Sequence, residues 1–420
     1  MVKSSDPVIS NFQKFKLGDI CETTSGGTPS RNNPKFYNGT IPWVKSGELD
    51  KGLILDTEEK ITKEALQNSS AKIFPKGTLL IALYGATIGK LAFLGVDAAT
   101  NQAICGIYEN EKINSKFLYY FLYFKRPSLV KQGIGGAQPN ISQTILKNLE
   151  IPVPPILAQQ VIVSKIEELF SELEKGIESL KLAQEQLKVY RQSVLKWAFE
   201  GRLTNENVLE GGLPEGWRKL PLDEVCQKIQ DGSHFSPQIQ FDEPGKNRFK
   251  YITAKNIRNN YMDLRNVTYV NKEFHDSIYN RCNPEFGDVL LTKDGVNTGE
   301  VTLNTLHEPF SLLSSVCIFK PSKYLFSGSF LKYYIQSPLG LKAIQDSMTG
   351  TAIKRIILRK IRASEIALPP AKEQEIIIEQ IEDRLSLVDK MEESINQSLQ
   401  QSESLRQSIL KRAFEGNLNF

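Results

Sequence analysis

Two stretches of the chain carry apolar residues at helical spacing for much longer than the rest. In the first, Ile162, Ile166, Leu169, Leu173, Ile177, Leu180, Leu187 and Val194 fall at spacings of three and four, with a slack position near Gln184. In the second, Ile377, Ile381, Leu385, Val388, Met391, Ile395, Leu405 and Ile409 do the same, and polar Ser398 and Ser402 weaken the seam. A heptad-like apolar stripe beside a polar face predicts a long helix that packs on another helix. A double proline opens each stretch, Pro154-Pro155 and Pro369-Pro370, where a missing N–H costs little. Gly201 and Gly416 are natural stops after the last turn. At about 44 residues and 1.5 Å per residue, each helix would run about 65 Å, longer than a small domain is wide. A helix packed only on its own globular core is the plainer expectation, but two such helices in one chain can serve as each other's partner.

Between these stretches the period changes. Alternating and β-branched runs broken by glycine predict sheets, and the aromatic runs FLYYF at Phe117 and FLKYYI at Phe330 predict a helix packed on each. Leu79 to Val96, LLIALYGATIGKLAFLGV, is long enough to consider as a membrane span. Its three glycines and Lys90 instead predict strand–turn–strand.

The chain repeats itself. RQSVLKWAFEGRL at Arg191–Leu203 returns as RQSILKRAFEGNL at Arg406–Leu418, with ten of thirteen positions identical. At the same shift of 215, and without a gap, Leu149–Leu203 matches Ser364–Leu418 at 23 of 55 positions, including Gln159 with Gln374. A gap-free match of that length marks an internal repeat. Weaker echoes fill the rest: LGDIC at Leu17 with LDEVC at Leu222, IPWVKSGEL around Trp43 with FKYITAKNI around Tyr251, and KGTLLIALYGATIG at Lys76 with FGDVLLTKDGVNTG at Phe286. GAQPNIS at Gly136 sits where GTAIKRI sits at Gly350. The predicted order is therefore 1–152 a first globular domain, 153–203 a first helical region, 204–367 a second domain, and 368–420 a second helical region.

Composition narrows the class. A length of 420 residues suits about two domains with their own cores. The net charge of +4 permits a nucleic-acid partner without demanding one. Five scattered cysteines without a CxxC pair argue against a disulfide framework or a zinc ribbon, and three distant histidines against a His-rich metal site. The first residues lack the apolar core of a signal peptide, so a reducing, cytoplasmic setting is expected. Cys21 and Cys226 share a repeat position among apolar neighbours and are expected to be buried.

The twin IPVPP…Q and IALPP…Q helix openings, the twin RQS[VI]LKxAFEGxL ends, and the SGGTPSR, IPWVKSGEL and YGATIGK phrases together resemble the specificity (S) subunit of type I restriction–modification systems over essentially the whole chain. The resemblance implies an α+β fold: two repeat-related target recognition domains separated by two long antiparallel coiled-coil helices with a pseudo-twofold. It implies that each domain reads one half of a bipartite, asymmetric double-stranded DNA target. The helices would set the half-site spacing and dock two methyltransferase (M) subunits, with restriction (R) subunits where present and no membrane. The chain itself would be non-catalytic and hold no cofactor. The assembled complex would methylate adenine N6 with S-adenosylmethionine on the methyltransferase and cleave with ATP/Mg on the motor–nuclease. On this reading the twice-written phrase is shared because the methyltransferase is the same at both ends. Its residues Arg191, Lys196, Phe199, Glu200, Arg406, Lys411, Phe414 and Glu415 become candidate partner contacts.

Base readout needs planar or bidentate polar groups on exposed turns. The candidates are Arg31, Lys45, Lys90, Gln138 and Asn140 in the first domain, and Lys255, Asn256, Lys293, Lys354 and Arg355 in the second. Arg359 joins them from the run IKRIILRKIR at Ile353–Arg362, which has five basic residues in ten. That run is either a phosphate-contacting strip or a solvated face. YGATIGKL lacks P-loop spacing and reads as a turn. NPKF at Asn33 and NPEF at Asn283 lack the second proline of an adenine-methyltransferase motif, which argues against an intrinsic methyltransferase. The competing reading is a coiled-coil adaptor that bridges proteins without binding DNA.

Overall fold

The computed structural model describes residues 12–133, 140–205, 207–208, 211–349 and 355–418. The chain divides into two compact units, Met1–Leu180 with Gln397–Phe420, and Lys181–Asn396. Four helices organise the cores of these units: α1 (Ser115–Gln132), α2 (Ile156–Phe199), α3 (Gly328–Gln336) and α4 (Ala371–Phe414). The two predicted long helices, α2 and α4, are each 44 residues long.

In the first unit, Gln13–Lys16 pairs antiparallel with Glu150–Val153, so the domain's start is tied to its end. One sheet runs in the order Thr23–Ser25, Ile104–Ile107, Leu79–Ala82, Leu91–Leu94, Leu53–Ile54. A second runs Glu59–Ile61, Tyr37–Val44, Ala98–Thr100, Ile73–Phe74. The apolar run at 79–96 is the predicted strand–turn–strand, with Leu79 opposite Phe93 and Ile81 opposite Leu91 around a 3-10 turn at Gly85–Thr87. No helix among the described residues is long and apolar enough to cross a membrane. Phe117, Leu118, Phe121 and Leu122 of α1 pack on this sheet, in one core with Ile162 and Ile166 of α2 and Leu410, Ala413 and Phe414 of α4.

The second unit repeats the plan. Arg218–Pro221 pairs antiparallel with Glu365–Leu368. Its main sheet runs Cys226–Asp231, Val316–Pro321, Val289–Thr292, Val301–Leu303, the same order as the first four strands of its counterpart. Its smaller sheet runs Thr268–Asn271, Arg248–Ile252, Ser311–Leu312. The core gathers Phe330, Leu331 and Tyr334 of α3, the Val194, Leu195, Ala198 and Phe199 end of α2, and Ile377, Ile381 and Leu385 of α4. Cys21 and Cys226 are both buried. Burial pushes the Cys226 thiol up to about 12, which keeps it an inert core group.

Within each unit α2 and α4 run antiparallel. In the second unit Gln184 donates to Asn396 (3.1 Å) and, seven residues on, Arg191 pairs with Asp389, seven residues back. In the first, Arg406 pairs with Glu174. The apolar stripe is buried at Ile162, Ile166, Leu187, Val194, Ile377, Ile381, Leu385, Val388, Ile395 and Ile409. Met391 and Leu405, also expected in the seam, are exposed. Leu405 instead lines a concavity with Leu169, Leu173 and Ile409.

The repeated glutamines have a local physical reason. Gln159 is fully buried, accepts from the Asn114 backbone N–H (2.7 Å) and donates to the carbonyls of Pro154 (2.8 Å) and Lys112 (3.2 Å). Gln374 repeats this with Phe326 (2.9 Å), Pro369 (3.0 Å) and Tyr324 (2.9 Å). A side-chain amide is the group that can accept and donate together. It satisfies the carbonyl left free by the prolines and latches the helix start to the segment before α1 or α3.

Candidate nucleic-acid interface

Among the described residues, every candidate cation of the first domain is paired with a carboxylate, whereas in the second domain two are paired and two are not. In the first, Arg31 pairs with Glu59 (2.6 Å) and lies over the rings of Tyr37 (4.5 Å) and Trp43 (5.1 Å). Lys45 pairs with Glu58 (2.9 Å) and Glu59 (3.1 Å), and Lys90 with Asp50. Each cation is already neutralised, and the Lys45 hydrogen bond holds the Glu58 carboxyl below the usual range. Asn140 is exposed and bridges to Tyr84 at the rim of the YGATIG turn. Gln138 lies outside the described residues, as does Lys354 in the second domain.

In the second domain two expectations of exposure fail. Asn256 is 4% exposed, and its Oδ1 accepts from the Thr253 N–H (3.0 Å) while its Nδ2 donates to the Asp263 carbonyl (3.0 Å). It closes a short capping box, as the buried Glu48 does in the first domain by accepting from the Lys45 N–H (2.9 Å). Lys293 is 6% exposed and bonded to buried Asp231 (2.8 Å), which also takes Arg281 (2.7 Å) and meets His234 (3.1 Å). Arg355 binds Asp294 (3.0 Å) beside the exposed DGVNTG loop. Lys255 and Arg359 are exposed and make no ion pair among the described residues. Much of the basic run faces its own domain: Arg362 donates to the Ile229 carbonyl and Lys360 to that of Asp346 (3.4 Å). The NPKF and NPEF asparagines are helix-end residues, Asn33 capping a 3-10 turn and Asn283 ending a helix at φ 51°.

Burial alone would raise the Asp231 carboxyl, but the bonds from Lys293 and Arg281 outweigh it and hold it at about 2. A folded-state value depressed below the ordinary value of about 3.9 contributes stability that is present above about pH 4 and lost as pH falls through about 2. The shift is worth about 2–3 kcal/mol. Acid titration should therefore loosen the second unit between about pH 4 and 2, and in Asp231→Asn that acid-dependent step should shrink. Hydrogen exchange on strand Cys226–Asp231 reads this, and an unchanged acid profile in the variant would refute it.

The repeated phrase is split between core and surface. Phe199 meets Phe330 (5.1 Å) and Tyr334 (5.5 Å) edge-on, and Phe414 meets Phe117 and Phe121 (both 5.2 Å) and stacks on Phe124 (5.8 Å). Both are buried, so neither is the surface contact the phrase alone suggests. Arg191 and Arg406 are taken by the α2–α4 pairings. The exposed members are Lys196, Lys411 and Glu415; Lys411 meets Glu415 (4.0 Å), and Lys196 meets the half-buried Glu200 (3.8 Å), which also meets Arg202 (3.6 Å).

Sequence reasoning missed a concavity of about 370 Å³ in the second domain, lined by Gln240, Tyr251, Lys255, Asn266 and Ser315 among others. Its residues come from segments distant in sequence, so no short motif could have announced it.

Comparison with known proteins places this geometry. The family described as type I restriction modification DNA specificity domain matches residues 9–181 and again 214–401. The type I restriction enzyme MjaIX specificity subunit of Methanocaldococcus jannaschii is 26% identical over 372 residues, 84% of this chain and 82% of that one. Among solved structures, a chain from work on complex assembly and conformational transition of the type I R-M system superposes with a TM-score of 0.75 at 20% identity, covering 97% of this chain and 99% of that one. The HsdS subunit from Thermoanaerobacter tengcongensis does so with a TM-score of 0.61 at 19% identity, covering all of both chains. At these identities the structural likeness speaks for the fold.

Proposed function

From the premise that this chain belongs to the type I restriction modification DNA specificity family, which its two family matches establish, we propose a division of labour among its parts. The globular parts of 1–152 and 204–367 each read one half of a bipartite, asymmetric DNA target. The helical regions 153–203 and 368–420 set the unread gap and present the Lys196–Glu200 and Lys411–Glu415 pairs to two methyltransferase subunits. The chain is a specificity subunit and supplies no chemistry. S-adenosylmethionine belongs to the methyltransferase, and ATP with Mg to a motor–nuclease where one is present. The cytoplasm is the compartment this implies.

The observation that carries this reading is the doubling. One sheet order, one helix latch and one buried phenylalanine seat occur twice in one chain, with different polar residues at the turns. Two related surfaces of different composition suit a target whose halves differ. A bridging adaptor would need no such divergence, and it is not favoured.

The test uses the chain copurified with its cognate methyltransferase and given genomic DNA and S-adenosylmethionine. Mapping methylated adenines by long-read sequencing should return two short specified parts separated by a fixed gap. A contiguous motif, or no methylation together with no DNA binding at low salt, would overturn the reading.

A further inference from the structure

The concavity in the second domain differs from the other candidate contacts in what lines it. Lys255 is exposed and lines it, and its ammonium has no hydrogen bond or ion pair among the described residues. The Asn266 side chain is likewise exposed and unbonded among them. Gln240 accepts from the Thr268 hydroxyl through Oε1 (3.0 Å), which leaves its amide N–H groups to donate. The Ser315 hydroxyl accepts from the Ala254 N–H (3.1 Å), which leaves its proton to donate. Tyr251 is 2% exposed, and its hydroxyl is buried without a partner. Burial pushes that hydroxyl up to about 12, so it remains a neutral donor. The described lining residues include one cation and no carboxylate.

The repeat makes the unpaired hydroxyl more telling. The equivalent of Tyr251 in the first domain is Trp43, whose Nε1 donates to the Gly27 carbonyl (3.1 Å). The equivalent of Lys255 is Gly47. Where the first domain satisfies its buried donor internally, the second leaves donors unspent around a hollow.

We propose that this hollow is a seat for a phosphate group of the DNA backbone, gripped by Lys255 and by the neutral donors of Asn266, Gln240 and Ser315. A donor-rich concavity with one positive charge is complementary to a protruding oxyanion. A base edge lies recessed in a groove and is met by a side chain that protrudes into it, whereas a backbone phosphate protrudes and can enter a hollow. The seat fixes the register of the second domain on the duplex and carries no sequence information itself. It rests on the DNA-reading role proposed for the second domain.

The full chain with its methyltransferase partner provides the test, binding its mapped target duplex across about 50–200 mM salt. In Lys255→Ala the slope of log affinity against log salt should fall by about 0.9, the contribution of one phosphate. Lys255→Arg should restore it, and the methylated motif should be the same in all three proteins. Asn266→Ala should weaken binding several-fold without changing the motif. An unchanged salt slope in Lys255→Ala would overturn the seat while the wild-type split motif still stood. A motif relaxed in one half would overturn it in favour of base readout. Inorganic phosphate at matched ionic strength separates the sources: Lys255-dependent binding of free phosphate with an unchanged DNA slope would make this a free-anion site and overturn the DNA assignment. Failure of the wild-type complex to methylate a split motif would instead sink the underlying reading.

Discussion

Phe414→Ala is expected to destabilise the first unit by about 3–5 kcal/mol, the cost of removing a large buried ring and leaving a cavity. Phe414 contacts three aromatic rings of α1, Phe117, Phe121 and Phe124, so its loss removes edge-to-face and stacking contacts as well as buried area. A loss of that size is comparable with a large share of a domain's whole stability. Because two compact units give no single unfolding midpoint, segment-resolved hydrogen exchange is the right measurement. Protection should fall in α1 and in Leu79–Ala82, while Val289–Thr292 in the second unit stays protected. Phe199→Ala should do the reverse, through Phe330 and Tyr334. Lys411→Ala, an exposed member of the same phrase, should change protection by less than about 0.5 kcal/mol. Equal loss of protection in both units, or an effect of Phe414→Ala no larger than that of Lys411→Ala, would refute this account.

That prediction bears on why the phrase is written twice. Six of its ten repeated identities, the Arg, Leu, Ala, Phe, Gly and closing Leu, belong to internal contacts of this kind. Leu195, Ala198 and Phe199 are buried in one unit, and Leu410, Ala413, Phe414 and Leu418 in the other. Gly201 and Gly416 both hold positive φ, 78° and 73°, where the helix must end and the chain turn. The common constraint is docking of a helix end on a globular core, so an external partner is not needed to explain most of the repetition. The Lys–Glu pairs are left to face one. The repeat itself, the helix lengths and the strand–turn–strand at 79–96 were legible because period, proline and glycine act locally. Which side of a helix faces a core is a tertiary fact, and the phrase alone could not reveal it.

The candidate site was less legible for a related reason. Arg, Lys, Asn and Gln at turns are the right chemistry for reading bases, but they are also the residues that cap turns and pair with nearby acids. Asn256 and Lys293 went to those internal uses, and Arg31, Lys45 and Lys90 met carboxylates brought in from other segments. Composition cannot separate a free cation from a paired one. The fold can: of the candidate cations among the described residues, it leaves Lys255 and Arg359 without an ion pair.

Exchange of the reading surface should move one half of the target and leave the other untouched. The graft boundaries follow from the packing. Lys112 and Asn114 receive the Gln159 latch, and Phe117, Phe121 and Phe124 form the Phe414 seat, so the segment from Lys112 onward must be retained. Gln13–Lys16 must stay with its partner strand Glu150–Val153. Replacing residues 22–108 with the corresponding segment of another family member meets both conditions. The cuts fall at Glu22 and Tyr108, whose backbone hydrogen bond (3.1 Å) lies at the end of the sheet ladder. Apolar residues opposite α1, at Leu79, Ile81, Cys105 and Ile107, should be matched in volume to keep the core filled. The chimera with its methyltransferase should then methylate a motif in which one specified part is changed, wholly where the readers lie within 22–108, as Arg31, Lys45 and Lys90 do, and partly where Gln138 or Asn140 also reads. The other part should persist because residues 204–367 are unchanged, and the gap should persist because α2 and α4 are. A change in both parts would mean that the domains do not read independently. A change in the gap alone would move the spacing function out of the helices and into the domains. Neither part changing, in a chimera that still methylates, would place readout outside residues 22–108, in the retained parts of the first domain, Asn140 among them.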